Sequence, residues 1–333
     1  EPLATEDYGL QAMANTSPAK WHLAHTTWFF ETFILLPFAS GYRRFHPAFE
    51  YLFNSYYNGV GTPYPRHQRG LLSRPGVEEV FRYRAHVDAA MGELLAAPAE
   101  HAVEINQRTE LGCHHEQQHQ ELLFTDLKYC WFQNPLYPVY SAPAADDDPG
   151  VDAIGWLPLA AGVQSIGAET GAAGFCFDNE LPRHRQYVES VELADRLVTN
   201  GEFMAFIEDG GYRRPELWLA DGWAARESGG EADAPLYWRR DSGQWLEYTL
   251  HGLLPLIPDR PVSHVSAYEA DAYARWAGCR LPTEFEWEAG CAHWGDASAA
   301  SGAGQFLDLD ELIPRAAAGL QPVDGLLGRV WQW

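Results

Sequence analysis

The stretch GCHHEQQHQELL, residues 112–123, places His114, His115 and His119 among glutamates and glutamines in a run that otherwise reads as helix. On an α-helix, residues four apart stack on one face about 6 Å from each other, so His115 and His119 can point together at one ion. His114 lies about 100° round the helix from His115 and about 140° from His119, which leaves it outside the pair. The helix is expected to run from about residue 99, just after Pro98, to residue 132, and to close at Asn134 and Pro135. The face through His115, His119, Leu122 and Asp126 continues into apolar positions, so it is expected to meet a core rather than water. The plain alternative is that the imidazoles cover a polar surface or sit satisfied in a core.

Two other segments share the helical period. Residues 17–36 open with Ser17 as the expected N-cap and Pro18 at the first helical position, where its missing N–H costs nothing. Trp21, His25, Trp28, Phe29, Thr32 and Leu36 then recur at steps of three and four. This helix offers both His22 and His25, and His25 falls among the aromatic core positions. Residues 76–96 repeat the pattern through Val77, Val80, Phe81, Arg84, Val87, Met91 and Leu94. With an expected N-terminal helix these make a four-helix bundle, an architecture in which ligands from different helices converge. A site of His25, His115 and His119 follows as the expectation. Three neutral imidazoles would leave coordination positions open for a reacting molecule, with zinc and iron both permitted.

The segment SAPAADDDPGVD, residues 141–152, is small, acidic and rich in proline and glycine, the composition of a linker. We therefore expect an α+β protein with a helical domain over residues 1–150 and a mixed domain over 151–333. In the second half, residues 185–193 alternate as a strand does, and a short helix follows Thr199 or Asn200. Ser266 with Glu269 and Thr283 with Glu286 form two capping boxes, and Gly278 closes the helix that the first of them starts. No internal repeat is evident.

A formal charge of -23 argues against nucleic acid or an anionic membrane surface as a partner, because attraction to phosphate needs a concentrated basic face. Small-molecule partners are expected instead. Five irregularly spaced cysteines without a C-x-x-C fit a reducing, cytoplasmic setting better than a disulfide framework. In the loop between helices, Tyr56 and Tyr57 are adjacent, and Arg66 and Arg69 lie three apart near prolines. A phenol near a metal can deliver a proton or hydrogen atom, and a guanidinium can grip a carboxylate through two parallel bonds. Each also has a plainer role, in packing or in solvating a surface.

Five ordered blocks carry a resemblance that spans most of the chain: SPAKWHLAHTTWFFETF, FNSYY, CHHEQQHQELLFTD, FDNELPRHRQYV and RLPTEFEWEAG. Together they resemble the ergothioneine-biosynthesis sulfoxide synthases, which join a DinB-like four-helix domain to a formylglycine-generating-enzyme-like, C-type-lectin-like domain. That resemblance implies a non-haem Fe(II) enzyme that uses dioxygen to join the sulfur of cysteine or γ-glutamylcysteine to the imidazole C2 of hercynine as a sulfoxide. It implies iron on His25, His115 and His119, the three residues already chosen. It further implies that Gln118 helps hold hercynine and that Arg66, with Arg69 second to it, meets the carboxylate of the thiol. Tyr56 and Tyr57 match a branch with a tyrosine pair beside the iron. A selenoneine synthase taking selenium from a selenosugar and a zinc-dependent DinB-like thiol transferase are the rival enzymes, and a lectin-like binding module is the rival from another class. The ending LLGRVWQW resembles a family block, with Arg329 and Gln332 in place of its usual asparagine and glutamate, and relatives continue beyond it, so the second domain is expected to be incomplete.

Overall fold

The computed structural model describes residues 2–96, 100–142, 150–171, 174–229, 233–294, 312–315 and 326–333. It divides into two compact units, Glu1–Tyr140 and Ser141–Trp333. The division falls ahead of the expected boundary at residue 150 because Ser141 already belongs to the second unit. Its N–H donates to Leu250 O (3.4 Å), and its hydroxyl lies 3.1 Å from His251 Nδ1. Most of the expected linker, residues 143–149, lies outside the described residues, as does the expected helix entry at 97–99. No helix among the described residues is long and apolar enough to cross a membrane.

The first unit is built round α1 (Ala19–Phe30), which continues through a π-helical turn (Glu31–Leu35) into α2 (Leu36–Phe38). Most of α1 is buried on all sides, as a helix surrounded by partners must be. The short α3 (Phe49–Phe53) and two long helices, α4 (Val77–Ala96) and α5 (Ala102–Phe132), pack about it. The expected N-terminal helix needs correcting: the described segment ahead of α1 holds a single 3-10 turn, Thr5–Gly9, and α1, α4 and α5 are the long helices among the described residues of the first unit. Its sequence has too few core-facing apolar residues for more than a turn, with Tyr8 alone buried. The cap of α1 also differs by one residue. Pro18 is the N-cap, and Ser17 instead donates its backbone N–H to Asp126 and receives Arg69 on its hydroxyl.

Helix α4 delivers Val80, Tyr83, Val87 and Met91 to a core that also holds Trp21, Trp28, Phe29, Ile34, Phe49 and Phe53. Across from it, α5 comes close to α1 at Gly112, where a Cβ would stand 2.7 Å from the Phe30 ring. Only a residue without a side chain permits that approach, which sets His115, one turn further on, against His25. Arg84 of α4 ties the same two helices, donating to Glu116 at 3.0 Å and to Thr26 at 3.4 Å, next to the two histidines. The π turn places the Glu31 carboxylate, 2% exposed, where Tyr42, Tyr83 and the Phe45 N–H all donate to it. A buried charge so surrounded by donors is tolerated.

In the second unit, β1 (Trp156–Leu159) and β2 (Gly162–Ile166) pair antiparallel with β4 (Val191–Ala194) and β3 (His184–Val188) respectively. The expected strand over 185–193 is therefore two strands in separate sheets, broken at Glu189 and Ser190, opposite the break between β1 and β2. Thr199 caps α6 (Asn200–Glu208), and α7 (Ala220–Gly229) follows. A three-stranded meander comes next, β5 (Trp238–Asp241), β6 (Gln244–Thr249) and β7 (Gly252–Pro255). Both expected capping boxes are present, Ser266/Glu269 starting α8 (Ala267–Trp276) and Thr283/Glu286 starting α9 (Glu284–Trp294). Gly278 follows α8 at φ +75°, as a left-handed closing residue should. One core gathers Phe203, Phe206, Tyr212, Trp218 and Trp238, and a smaller one sets Leu159 and Val188 against Ala289 of α9. The α+β class is as expected.

Candidate metal centre

Helices α1 and α5 bring His25, His115 and His119 together, with one ligand atom from each within 4.8 Å of the others. Their ring centroids stand 5.0 Å (His25 to His115), 4.6 Å (His25 to His119) and 4.6 Å (His115 to His119) apart. His25 is fully buried between two indoles, stacked on Trp21 at 4.6 Å and on Trp28 at 5.5 Å. Its Nδ1 lies 2.5 Å from Phe53 O, a carbonyl that can only accept, so Nδ1 carries the proton and Nε2 keeps its lone pair. That Nε2 has no hydrogen-bond partner, and neither nitrogen of the buried His115 has one. Leaving such groups unpaired costs about 1–3 kcal/mol each, so their convergence asks for an occupant.

Such a set of nitrogen donors could hold a metal cation. Burial, then the neighbouring His115, pushes the His25 pKa down to about 3. Burial lowers His115 to about 4, and burial followed by the His25 and His115 charges lowers His119 to about 2. All three are thus neutral lone-pair donors near pH 7. Imidazole triads suit zinc, copper, nickel and iron, and three protein ligands leave positions open for other molecules. The residues present therefore fit a divalent transition metal.

These shifts set a pH dependence. In the unfolded chain the three histidines take up protons below about pH 6.5; in the folded unit they resist until the pH is well below 5. The unfolded state then binds more protons, so stability falls with falling pH from about 6.5 downward, by up to about 1.4 kcal/mol per pH unit for each histidine. Urea midpoints of the metal-free protein between pH 7.5 and 5 measure it. Replacing His25, His115 and His119 together by non-titrating residues should flatten the slope.

The remaining expected site residues divide by burial. Tyr57 is half-buried, 5.5 Å from Trp28 and 6.5 Å from His25 between ring centroids, whereas Tyr56, stacked on it at 5.0 Å, is 71% exposed. Asn54 accepts the Tyr57 N–H and donates to Tyr57 O and Gly61 O, which fixes the loop that carries Tyr57. Arg69 is buried, its guanidinium 3.4 Å above the Trp21 ring, which itself stacks on His25. It donates to Ser17 and Ser55 hydroxyls, its Nε has no partner, and burial, then Arg66, lowers its pKa to about 9. Arg66, the first of the two in the expected order, is exposed. Gln118 is exposed beside His119, and His114 stands outside the triad near Gln117. Leu122, expected on the inward face, is 42% exposed, so that face closes at His119 and resumes at Asp126.

Sequence reasoning passed over His22. It lies 4% exposed, with Nδ1 2.9 Å from His119 Nδ1 and Nε2 3.0 Å from Asp126 Oδ2. Its spacing of three from His25 was the available signal, since residues so placed share a helix flank.

Comparison with known proteins agrees with the sequence blocks. Residues 147–313, half of the chain, match the Sulfatase-modifying factor enzyme 1-like domain. The chain is 40% identical over 187 residues to the hercynine oxygenase of Mycolicibacterium thermoresistibile, covering 50% of this chain and 40% of that protein. It is 35% identical over 237 residues to the hercynine oxygenase of Mycolicibacterium smegmatis, covering 66% and 53% respectively. It is 33% identical over 168 residues to the formylglycine-generating enzyme of Streptomyces coelicolor, covering 44% and 51%. The chain spans about half the length of the curated relatives it matches. With half of its length inside that domain, the chain belongs to the Sulfatase-modifying factor enzyme 1-like family and is similar, over a longer stretch, to hercynine oxygenases.

Proposed function

We propose that the protein is an Fe(II)-dependent oxygenase that joins the sulfur of cysteine or γ-glutamylcysteine to C2 of the hercynine imidazole, giving a sulfoxide. The observation that carries this reading is the convergence of buried His25 and His115 with half-buried His119, taken with the two hercynine oxygenases to which the chain is similar. The reaction balances without another reductant: one thiol S–H and one imidazole C–H supply two hydrogens, and dioxygen becomes the sulfoxide oxygen and one water. Bound iron supplies the electron transfer that dioxygen needs and favours the thiolate over the thiol.

The chain's own residues do the rest. Arg69, buried without a carboxylate partner, is the group suited to a substrate carboxylate, and Ser17 and Ser55 hold it in place. The Trp21 ring fixes the distance from that grip to the metal ligand His25. Tyr57, its pKa raised by burial and then by Tyr56, stays protonated across the physiological range and is a proton donor rather than a base. Gln118 is assigned to hercynine by position, next to His119. Holding both reactants at one centre supplies much of the rate through proximity.

Oxygen uptake by the ferrous protein with hercynine and each of cysteine, γ-glutamylcysteine and a selenosugar tests the proposal. Uptake with formation of a C–S product from a thiol is expected. Product from the selenosugar alone would shift the donor to selenium, and turnover without oxygen would point to a transferase.

A further inference from the structure

We propose that Asp126 and His22 form an outer relay that fixes the tautomer and orientation of His119, making His22 a positioning residue for the metal centre. This rests on the reading of the triad as a metal site. Asp126 is 8% exposed, and its Oδ2 takes the Ser17 N–H at 2.8 Å and His22 Nε2 at 3.0 Å. A carboxylate only accepts, so the proton between them sits on His22 Nε2. When that is the only ring proton on His22, the other nitrogen, Nδ1, is an acceptor. It lies 2.9 Å from His119 Nδ1, which must therefore donate. The lone pair of His119 is left on Nε2, the nitrogen free to meet His25 and His115.

The three ligands are supported differently from behind. His25 donates to the carbonyl of Phe53, which fixes its ring by backbone alone. His115 is wedged in the core, 4.9 Å from the Phe29 ring, with no partner on either nitrogen. His119 is the least buried of the three and sits where the helix face turns to solvent, next to exposed Gln118 and Leu122. It is the ligand that most needs a hydrogen bond to hold its ring, and the relay reaches it alone. Asp126, seven residues and two turns further along α5, shares its face, and His22 bridges from α1. Partners of this kind on metal-binding imidazoles are worth about 10–100-fold in metal affinity.

Co(II) titration of the full chain, followed by visible absorption and by calorimetry, tests the relay with two variants. His22→Phe keeps a ring but removes both hydrogen bonds, and should weaken Co(II) binding about 10–100-fold in protein that circular dichroism shows to be folded before metal is added. His22→Gln can donate to Asp126 and accept from His119, and should keep affinity within about fivefold, on the same expectation. Affinity of His22→Phe within twofold of the parent would overturn the relay, and so would an equal loss in both variants. Should His22→Phe not fold, the parent decides: nitrogen-15 spectra of the metal-free, histidine-labelled protein should show His119 protonated on Nδ1 and His22 on Nε2. The opposite tautomer at His119 would overturn the proposal. A parent that binds no Co(II) would instead remove the metal-site reading, while leaving the tautomer result to judge the relay.

Discussion

Replacing His119 by alanine is expected to take ferrous-ion binding and turnover below detection while the metal-free protein stays folded. A structural metal site contributes about 10–16 kcal/mol through four ligands, so one ligand is worth roughly 3–4 kcal/mol, or two to three powers of ten in affinity. The variant also loses the proper aim of the relay from His22, which then has no imidazole to meet. Stability should change little. His119 is half-buried on a helix whose other inward residues, Leu127, Cys130 and Trp131, remain, and alanine is the best helix former. Metal content after anaerobic loading, with circular dichroism of the same sample, separates the two effects. Retention of metal at the parent's stoichiometry would show that the third ligand lies elsewhere.

Tyr57→Phe is expected to keep metal and substrate binding but to change what dioxygen does. Removing a positioned proton donor costs about 10²–10⁴ in the step it serves. Oxygen would then be spent on the thiol itself, and the ratio of C–S product to oxidised thiol should fall by at least about tenfold. Tyr56→Phe should change that ratio far less. The contrast comes from burial: Tyr57 packs against Trp28 and Phe33 in reach of His25, while Tyr56 covers it from the solvent side. Quantifying both products from each variant checks the assignment, and an unchanged ratio in Tyr57→Phe would move the donor role to another residue.

Much of the site was legible in the residues because helical spacing is a strict geometric rule. His115 and His119 are one turn apart, and His25 falls on the aromatic stripe of α1, so their convergence follows once two helices pack. How closely they pack was also written in the chain, at Gly112, but a glycine in a helix does not announce which neighbour approaches it. What spacing could not give is whatever depends on contacts between distant segments. His22 reads as one more polar position on α1 until Asp126, 104 residues later, stands beside it. Arg66 and Arg69 are equal as sequence, and only the Trp21 ring, with Ser17 and Ser55, distinguishes the buried one. The N-terminal helix was expected from a count of bundle members rather than from an apolar stripe of its own, and a 3-10 turn stands in its place. The alternation over residues 185–193 gave the extended conformation correctly. It carries no signal for the break at Glu189 and Ser190 that sends its halves to different sheets.

The most direct test of the account is anomalous scattering at the iron edge from crystals of the protein grown without oxygen in the presence of ferrous ion. The expected result is one peak in the first unit, about 2.1 Å from a nitrogen of each of His25, His115 and His119, with the His119 contact made through Nε2. No peak between these three rings, or a peak held by other side chains, would contradict it.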